Sequence, residues 1–188
     1  MTSHCAVFIA TSLDGFIARA DGSIGWLNDA NARIPDGEDC GYAAFMANID
    51  ALVMGWNTFE QVSSFDEWPY GELPIVVLTR RTRTRVLPTN VPATVSLSAD
   101  DPAALITRLA EQGLHRLYVD GGVTIQRFLS AGLINELTIT TIPVLVGNGK
   151  TLFGSLTKDV PLELVATRSY QFGFVQSHYR VLTAPPAA

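Results

Sequence analysis

Cysteine, histidine and lysine are scarce in this chain. Two cysteines, Cys5 and Cys40, make no CxxC pair and no disulfide framework. With the scattered histidines His4, His115 and His178 they offer no zinc-ligand spacing, so no metal is expected. Two reduced thiols suit a cytoplasmic protein. Thirteen Lys and Arg against eighteen Asp and Glu give a net charge of −5, which argues against a nucleic-acid partner. No apolar run approaches the ~18 residues of a membrane span, so no membrane association is expected. The opening residues 1–15, MTSHCAVFIATSLDG, lack the basic start and apolar stretch of a signal peptide. Neither GxGxxG nor a P-loop occurs, so the common dinucleotide and triphosphate motifs are unsupported.

What is present reads as one domain. The 188 residues are 47% hydrophobic, enough for a full core. We expect residues 1–183 to form it and 184–188 to fray. Short, nearly continuous apolar runs at 6–10, 51–54, 75–79, 116–119 and 136–142 predict strands buried on both faces. Residues 101–112, DPAALITRLAEQ, predict a helix with an acidic cap, Pro102 in its first turn and Gly113 as its stop. Residues 123–131 repeat that pattern and end at Gly132; residues 42–49 form a shorter candidate. Strand and helix alternate from 51 to 142, which predicts an α/β sheet with parallel neighbours. Residues 162–170 and 174–182 predict an antiparallel hairpin at one edge. The sum is a mixed, mostly parallel sheet of about eight strands. A bulge is expected near 141–143, where alternation shifts.

Two strand–glycine–helix junctions carry the functional argument. In YVDGGVTIQ, Gly121 and Gly122 precede a helix. Glycines after a strand let a phosphate approach the unpaired N–H groups of a helix start. The same glycines also suit a tight turn with no ligand, and the motif alone leaves both readings open. In VMGWNTFEQ, Gly55 precedes a short helix with Thr58 in its first turn, placed to meet phosphate or to cap the helix. After the run IVVLTRR, Thr79 and Arg80 stand at a strand end, suited to an anionic group such as a ribose 2′-phosphate. Arg83 and Arg85 read as a solvated basic loop.

These segments occur in a familiar order. SLDGFIARADGSIGW (12–26), VMGWNTFE (53–60), VVLTR (76–80) and VDGGVTIQRFL (119–129) resemble the dihydrofolate reductase superfamily. LINELTITTIPVLVGNGKTLF (133–153) is similar to the branch containing the C-terminal reductase domain of the bifunctional riboflavin-biosynthesis deaminase/reductase. The deaminase's zinc pattern is missing, so the chain reads as a stand-alone reductase-like domain. The resemblance implies an eight-stranded dihydrofolate reductase-like sheet and NADPH as cofactor. It implies a cis peptide between Gly121 and Gly122, with Val123 and Thr124 offering N–H groups to phosphate. It implies that the Ala10 backbone meets the nicotinamide amide, that Ile17 packs on the ring from a mobile loop at 14–24, and that Trp26 backs the pocket. It also implies a homodimer formed with help from 136–146.

Two departures qualify the resemblance. Trp56 stands where the family has a basic residue, so Thr79 and Arg80 would carry NADPH preference, with Trp56 stacking on adenine or contributing nothing. The catalytic acid is the second. An ungapped count from Met54 and Gly55 puts Asp39 at the acid's position in dihydrofolate reductases, yet DGEDCG also reads as a solvated helix start. No clamp for a substrate phosphate stands out, the lysines being Lys150 and Lys158. The expected activity is hydride transfer to a small heterocyclic or imine-like substrate, nearest to 5-amino-6-(5-phosphoribosylamino)uracil reductase. A true dihydrofolate reductase using Asp39 and a non-catalytic nucleotide-binding dimer are the alternatives.

Overall fold

The computed structural model describes residues 3–182, so the tail expected to fray lies outside the described residues. The chain opens with β1 (His4–Ser12), β2 (Phe16–Arg19) and the short helices α1 (Gly25–Asn31) and α2 (Tyr42–Met46). Alternation follows through β3 (Ala51–Gly55), α3 (Trp56–Val62), β4 (Ile75–Leu78) and β5 (Val95–Ser98), then α4 (Pro102–Glu111), β6 (Arg116–Asp120), α5 (Gly122–Ser130) and β7 (Glu136–Ile142). The chain closes with β8 (Gly149–Thr151) and the hairpin β9 (Leu162–Ser169) and β10 (Val175–Val181).

Eight strands form one mixed sheet in the order β5-β4-β3-β6-β1-β7-β10-β9. The pairs from β5 to β7 are parallel, and β10 runs antiparallel to both β7 and β9. This is the dihydrofolate reductase-like arrangement. The chain winds outward from β3 to β5, then returns to insert β6 between β3 and β1. Such a reversal of strand order opens a crevice at the carboxyl ends of the strands it separates.

The burial follows the pleat. Ala51 and Val53 of β3 face Leu105, Leu109, Ile125 and Phe128 of α4 and α5, whereas Leu52 and Met54 face Phe59 of α3. Phe128 is fully buried, so truncating it to Ala would cost about 3–5 kcal/mol. The Asp101 side chain caps α4 by accepting from the Ala104 N–H at 2.9 Å, with Pro102 at the helix start. Gly113 (φ +82°) and Gly132 (φ +69°) follow the ends of α4 and α5.

Two expectations change. β7 stays in register with β1 through Ile142, so the bulge expected near 141–143 is absent; the irregularity falls between His178 and Tyr179 of β10. β7 lies between β1 and β10, with both of its edges paired. Residues 14–24 are not simply a loop: β2 pairs with β8 in a separate two-stranded sheet. Asp14 pins the base of this segment. Its carboxylate accepts from Ser12 Oγ at 2.5 Å and from the Gly147 and Val146 amides at 2.7 and 3.1 Å. Those bonds, the Ser12 hydroxyl foremost, hold its pKa down to about 2.

Candidate functional site

A cleft of about 980 Å³ lies at the carboxyl ends of β1, β3 and β6, bounded by β2 and β8. The two glycine junctions meet inside it. A Cβ on Gly121 would run into Thr58 Oγ1, and one on Gly55 would come within 3.0 Å of Thr124 Oγ1. Thr58 thus fills the space a side chain at 121 would need, whereas a Cβ at 55 would require Thr124 to shift by a few tenths of an ångström. Gly121 also adopts φ +89° and ψ 134°, a conformation open to glycine. A Cβ on Gly122 would lie 2.9 Å from Ile17 Cδ1 and 3.0 Å from the Thr151 carbonyl oxygen. No cis peptide occurs among the described residues, so the Gly121–Gly122 bond is trans. The glycines serve through positive φ and close approach.

The start of α5 faces this cleft. Its first backbone bond runs from the Ile125 N–H to the Gly121 carbonyl at 2.9 Å. The amides of Gly122, Val123 and Thr124 are therefore left over, and all three residues line the cleft. Arg127, one turn along α5, and Lys150 of β8 also line it. A helix start, two cations and glycines that admit close approach fit a dinucleotide pyrophosphate. Ala10 and Ile17 line the cleft.

Thr79 and Arg80 sit differently. The cleft wall stops at Leu78, which pairs with Gly55 in register. Thr79 Oγ1 accepts from the Arg81 N–H at 3.1 Å, and Arg80 is exposed. Arg83 is exposed as expected, but Arg85 is not simply solvated. Its guanidinium carbon lies 4.3 Å from the centroid of the Trp56 ring, and Nη1 is 3.4 Å from Glu60 Oε1. The cation missing at position 56 thus returns from the loop after β4, held on the indole face. Trp56 and Glu60 both line the cleft.

Two assignments need correction. Trp26 is 5% exposed and packs with Ala30, Cys40, Ile142, Tyr170 and Phe174; its neighbour Leu27 lines the cleft instead. Asp39 is exposed, and its carboxylate accepts from the Gly41 and Ala43 amides at the start of α2, each at 2.8 Å. The Ala43 and Gly41 N–H groups hold its pKa below the ordinary value. It is a helix-start acid, without the desolvated setting of a proton donor. The ungapped count fails because α1 ends at Asn31 and turns fill the chain up to α2.

Of the acids that line the cleft, Asp21 and Glu60 are exposed, and Asp120, the last residue of β6, is the one drawn out of solvent. Burial pushes its pKa up to about 6, although one bond from the Gly121 N–H at 2.8 Å works in the opposite direction. Tyr42, Tyr70 and Tyr118 surround it closely enough for its charge to oppose their ionisation, after burial as the larger cause. The Tyr118 hydroxyl donates to the Phe8 carbonyl at 2.8 Å. Asp120 was visible in the sequence as a carboxylate ending an otherwise buried strand, directly before the glycine pair.

Residues 4–175 match the RibD C-terminal domain family. The uncharacterised Bacillus subtilis (strain 168) protein YwjB is 33% identical over 183 residues, covering 95% of this chain and 98% of YwjB. A crystal structure of a Shewanella sp. PV-4 protein provisionally assigned to riboflavin biosynthesis superposes with a TM-score of 0.87 at 38% identity, covering 96% of this chain and 99% of that one. The Thermotoga maritima diaminohydroxyphosphoribosylaminopyrimidine deaminase/5-amino-6-(5-phosphoribosylamino)uracil reductase superposes with a TM-score of 0.72 at 17% identity. The match covers 96% of this chain and 57% of that one, and shows a shared fold.

Proposed function

The chain belongs to the RibD C-terminal domain family, and from that premise we propose that it is an NADPH-dependent reductase acting on a carbon–nitrogen double bond of a small heterocyclic or imine-like substrate. The chemistry is nearest to that of 5-amino-6-(5-phosphoribosylamino)uracil reductases. The observation that carries the reading is a raised-pKa carboxyl, Asp120, beside a glycine-lined helix start in one cleft. When bound, NADPH supplies the hydride.

The amides of Gly122, Val123 and Thr124, with Arg127 and Lys150, hold the cofactor's phosphates. The Ala10 backbone would orient the nicotinamide amide, and Ile17 would cover the ring and exclude water. Asp120 holds its proton up to about pH 6, and in a minor fraction of molecules at neutral pH, because its charged form is poorly solvated. It donates that proton to the substrate nitrogen as the nitrogen gains charge. The resulting carboxylate keeps the Gly121 N–H bond and regains a proton from water in the cleft.

The free thiols Cys5 and Cys40 support a reducing compartment, the cytoplasm. No helix among the described residues is long and apolar enough to cross a membrane. A homodimer is part of the proposal. The edge strand β9 is exposed along its whole length, with Leu164 56% and Val165 45% exposed, which supports coverage by a second copy. A monomer mass in light scattering would overturn the dimer. For the activity, calorimetric titration with NADPH and NADH is paired with the Asp120→Asn variant. Tight NADPH binding by both proteins, with reduction lost only in the variant, is expected. Absence of cofactor binding would sink the reading.

A further inference from the structure

The cleft does not end at Asp120. A second cavity of about 660 Å³ adjoins it and shares Ala10 and Leu27 as walls. Phe8, Ile34, Ile142 and Phe174 give it apolar sides. Tyr42 lines it too, and that phenol feels the charge of Asp120, so the cavity lies against the reacting end of the cleft. Its mouth carries Asp36, Glu38 and Asp39. Glu38 pairs with the exposed Arg168 at 3.1 Å, and Asp39 caps α2. Among the described residues, no basic side chain lines this cavity. The two cations of the neighbouring cleft, Arg127 and Lys150, line that cleft alone.

Resting on the reductase reading above, we propose that the second cavity is the substrate's compartment and takes a flat heterocycle without a phosphate, neutral or positively charged. Apolar and aromatic walls accept a flat ring. Carboxylates at the mouth accept ring or amino N–H groups and draw in a cation. The same carboxylates repel a phosphate, which needs Arg or Lys, neither of which lines this cavity, or free helix-start amides, and those of Gly41 and Ala43 at the start of α2 are already bonded to Asp39. The substrate therefore differs by its missing phosphate from the phosphoribosyl compound named for the Thermotoga maritima enzyme of the same fold.

The test uses the full chain saturated with NADP⁺. It is titrated with riboflavin, with FMN (the same ring bearing a phosphate) and with the smaller pteridine-2,4-dione, followed by fluorescence and calorimetry. At least one phosphate-free ring should bind, with FMN at least tenfold weaker than riboflavin wherever the flavin ring is accepted. Asp36→Lys, on the exposed rim, should narrow any such ratio at least threefold. Asn31→Trp, at the cavity lining, should abolish ring binding while leaving NADP⁺ affinity unchanged. FMN binding as tightly as riboflavin would overturn the proposal. So would failure of both phosphate-free rings while NADP⁺ binds, or ring binding that survives Asn31→Trp; either result leaves the reductase reading standing. Failure of NADP⁺ itself to bind would remove both.

Discussion

Replacing Asp120 by Asn should remove activity and, above neutral pH, stabilise the protein. The carboxyl has its pKa raised from 3.8 to about 6 by burial. Below the unfolded-state value both states are protonated, and the native environment carries no ionisation penalty. Between that value and the native one, the unfolded chain releases the proton while the native chain retains it, so stability falls as pH rises. Above about 6 the native carboxylate is ionised in a poorly solvated site. Two pKa units correspond to about 3 kcal/mol as an upper bound. Asp120 keeps some solvent exposure along the cleft, so about 2 kcal/mol is the expected size. Asn preserves a carbonyl oxygen for the Gly121 N–H and cannot ionise. Thermal melts of wild type and Asp120→Asn at pH 4 and pH 8 measure the difference. The variant should gain about 4–8 °C over wild type on going from the lower to the higher pH, by the usual size scaling for such a chain. A Tm difference independent of pH would refute the reasoning, because it would mean that the carboxylate is as well solvated in the fold as outside it.

Three further perturbations separate the remaining roles. Gly121→Ala places a Cβ against Thr58 at φ +89°, so it should lose about 1–3 kcal/mol in urea unfolding, with partial recovery when Thr58→Ala is added. No recovery in the double variant would show that the threonine contact is irrelevant. Arg80→Ala and Arg85→Ala should each weaken NADPH about 5–10-fold, with little change for NADH, if the end of β4 supplies charge to the 2′-phosphate; an equal loss for both cofactors in calorimetry would argue against that. Asp39→Ala should cost about 0.5–1 kcal/mol through the lost bonds at the start of α2 and leave kcat within about twofold. A hundredfold fall in kcat would restore Asp39 as the acid.

The residues themselves determined the strand-helix alternation, the caps of α4, the edge hairpin and the two glycine junctions. These are local: an apolar run, an acid before Pro102, or a glycine after a strand declares itself within a few residues. β2, β5 and β8 span three or four residues, as β4 does, but lack its unbroken apolar run and so give no pattern to read. What only the tertiary structure decided concerns partners distant in sequence. Thr58 reaches Gly121 and Thr124 reaches Gly55 because β3 and β6 are neighbours in the sheet. Arg85 returns to Trp56 from the far end of a loop. Asp39 and Asp120 are both acids within two residues of a glycine, and nothing local says which loses its water. Burial chooses Asp120, because β6 carries it into the crevice where the strand order reverses, while a turn leaves Asp39 in solvent, bonded to the amides of its own helix.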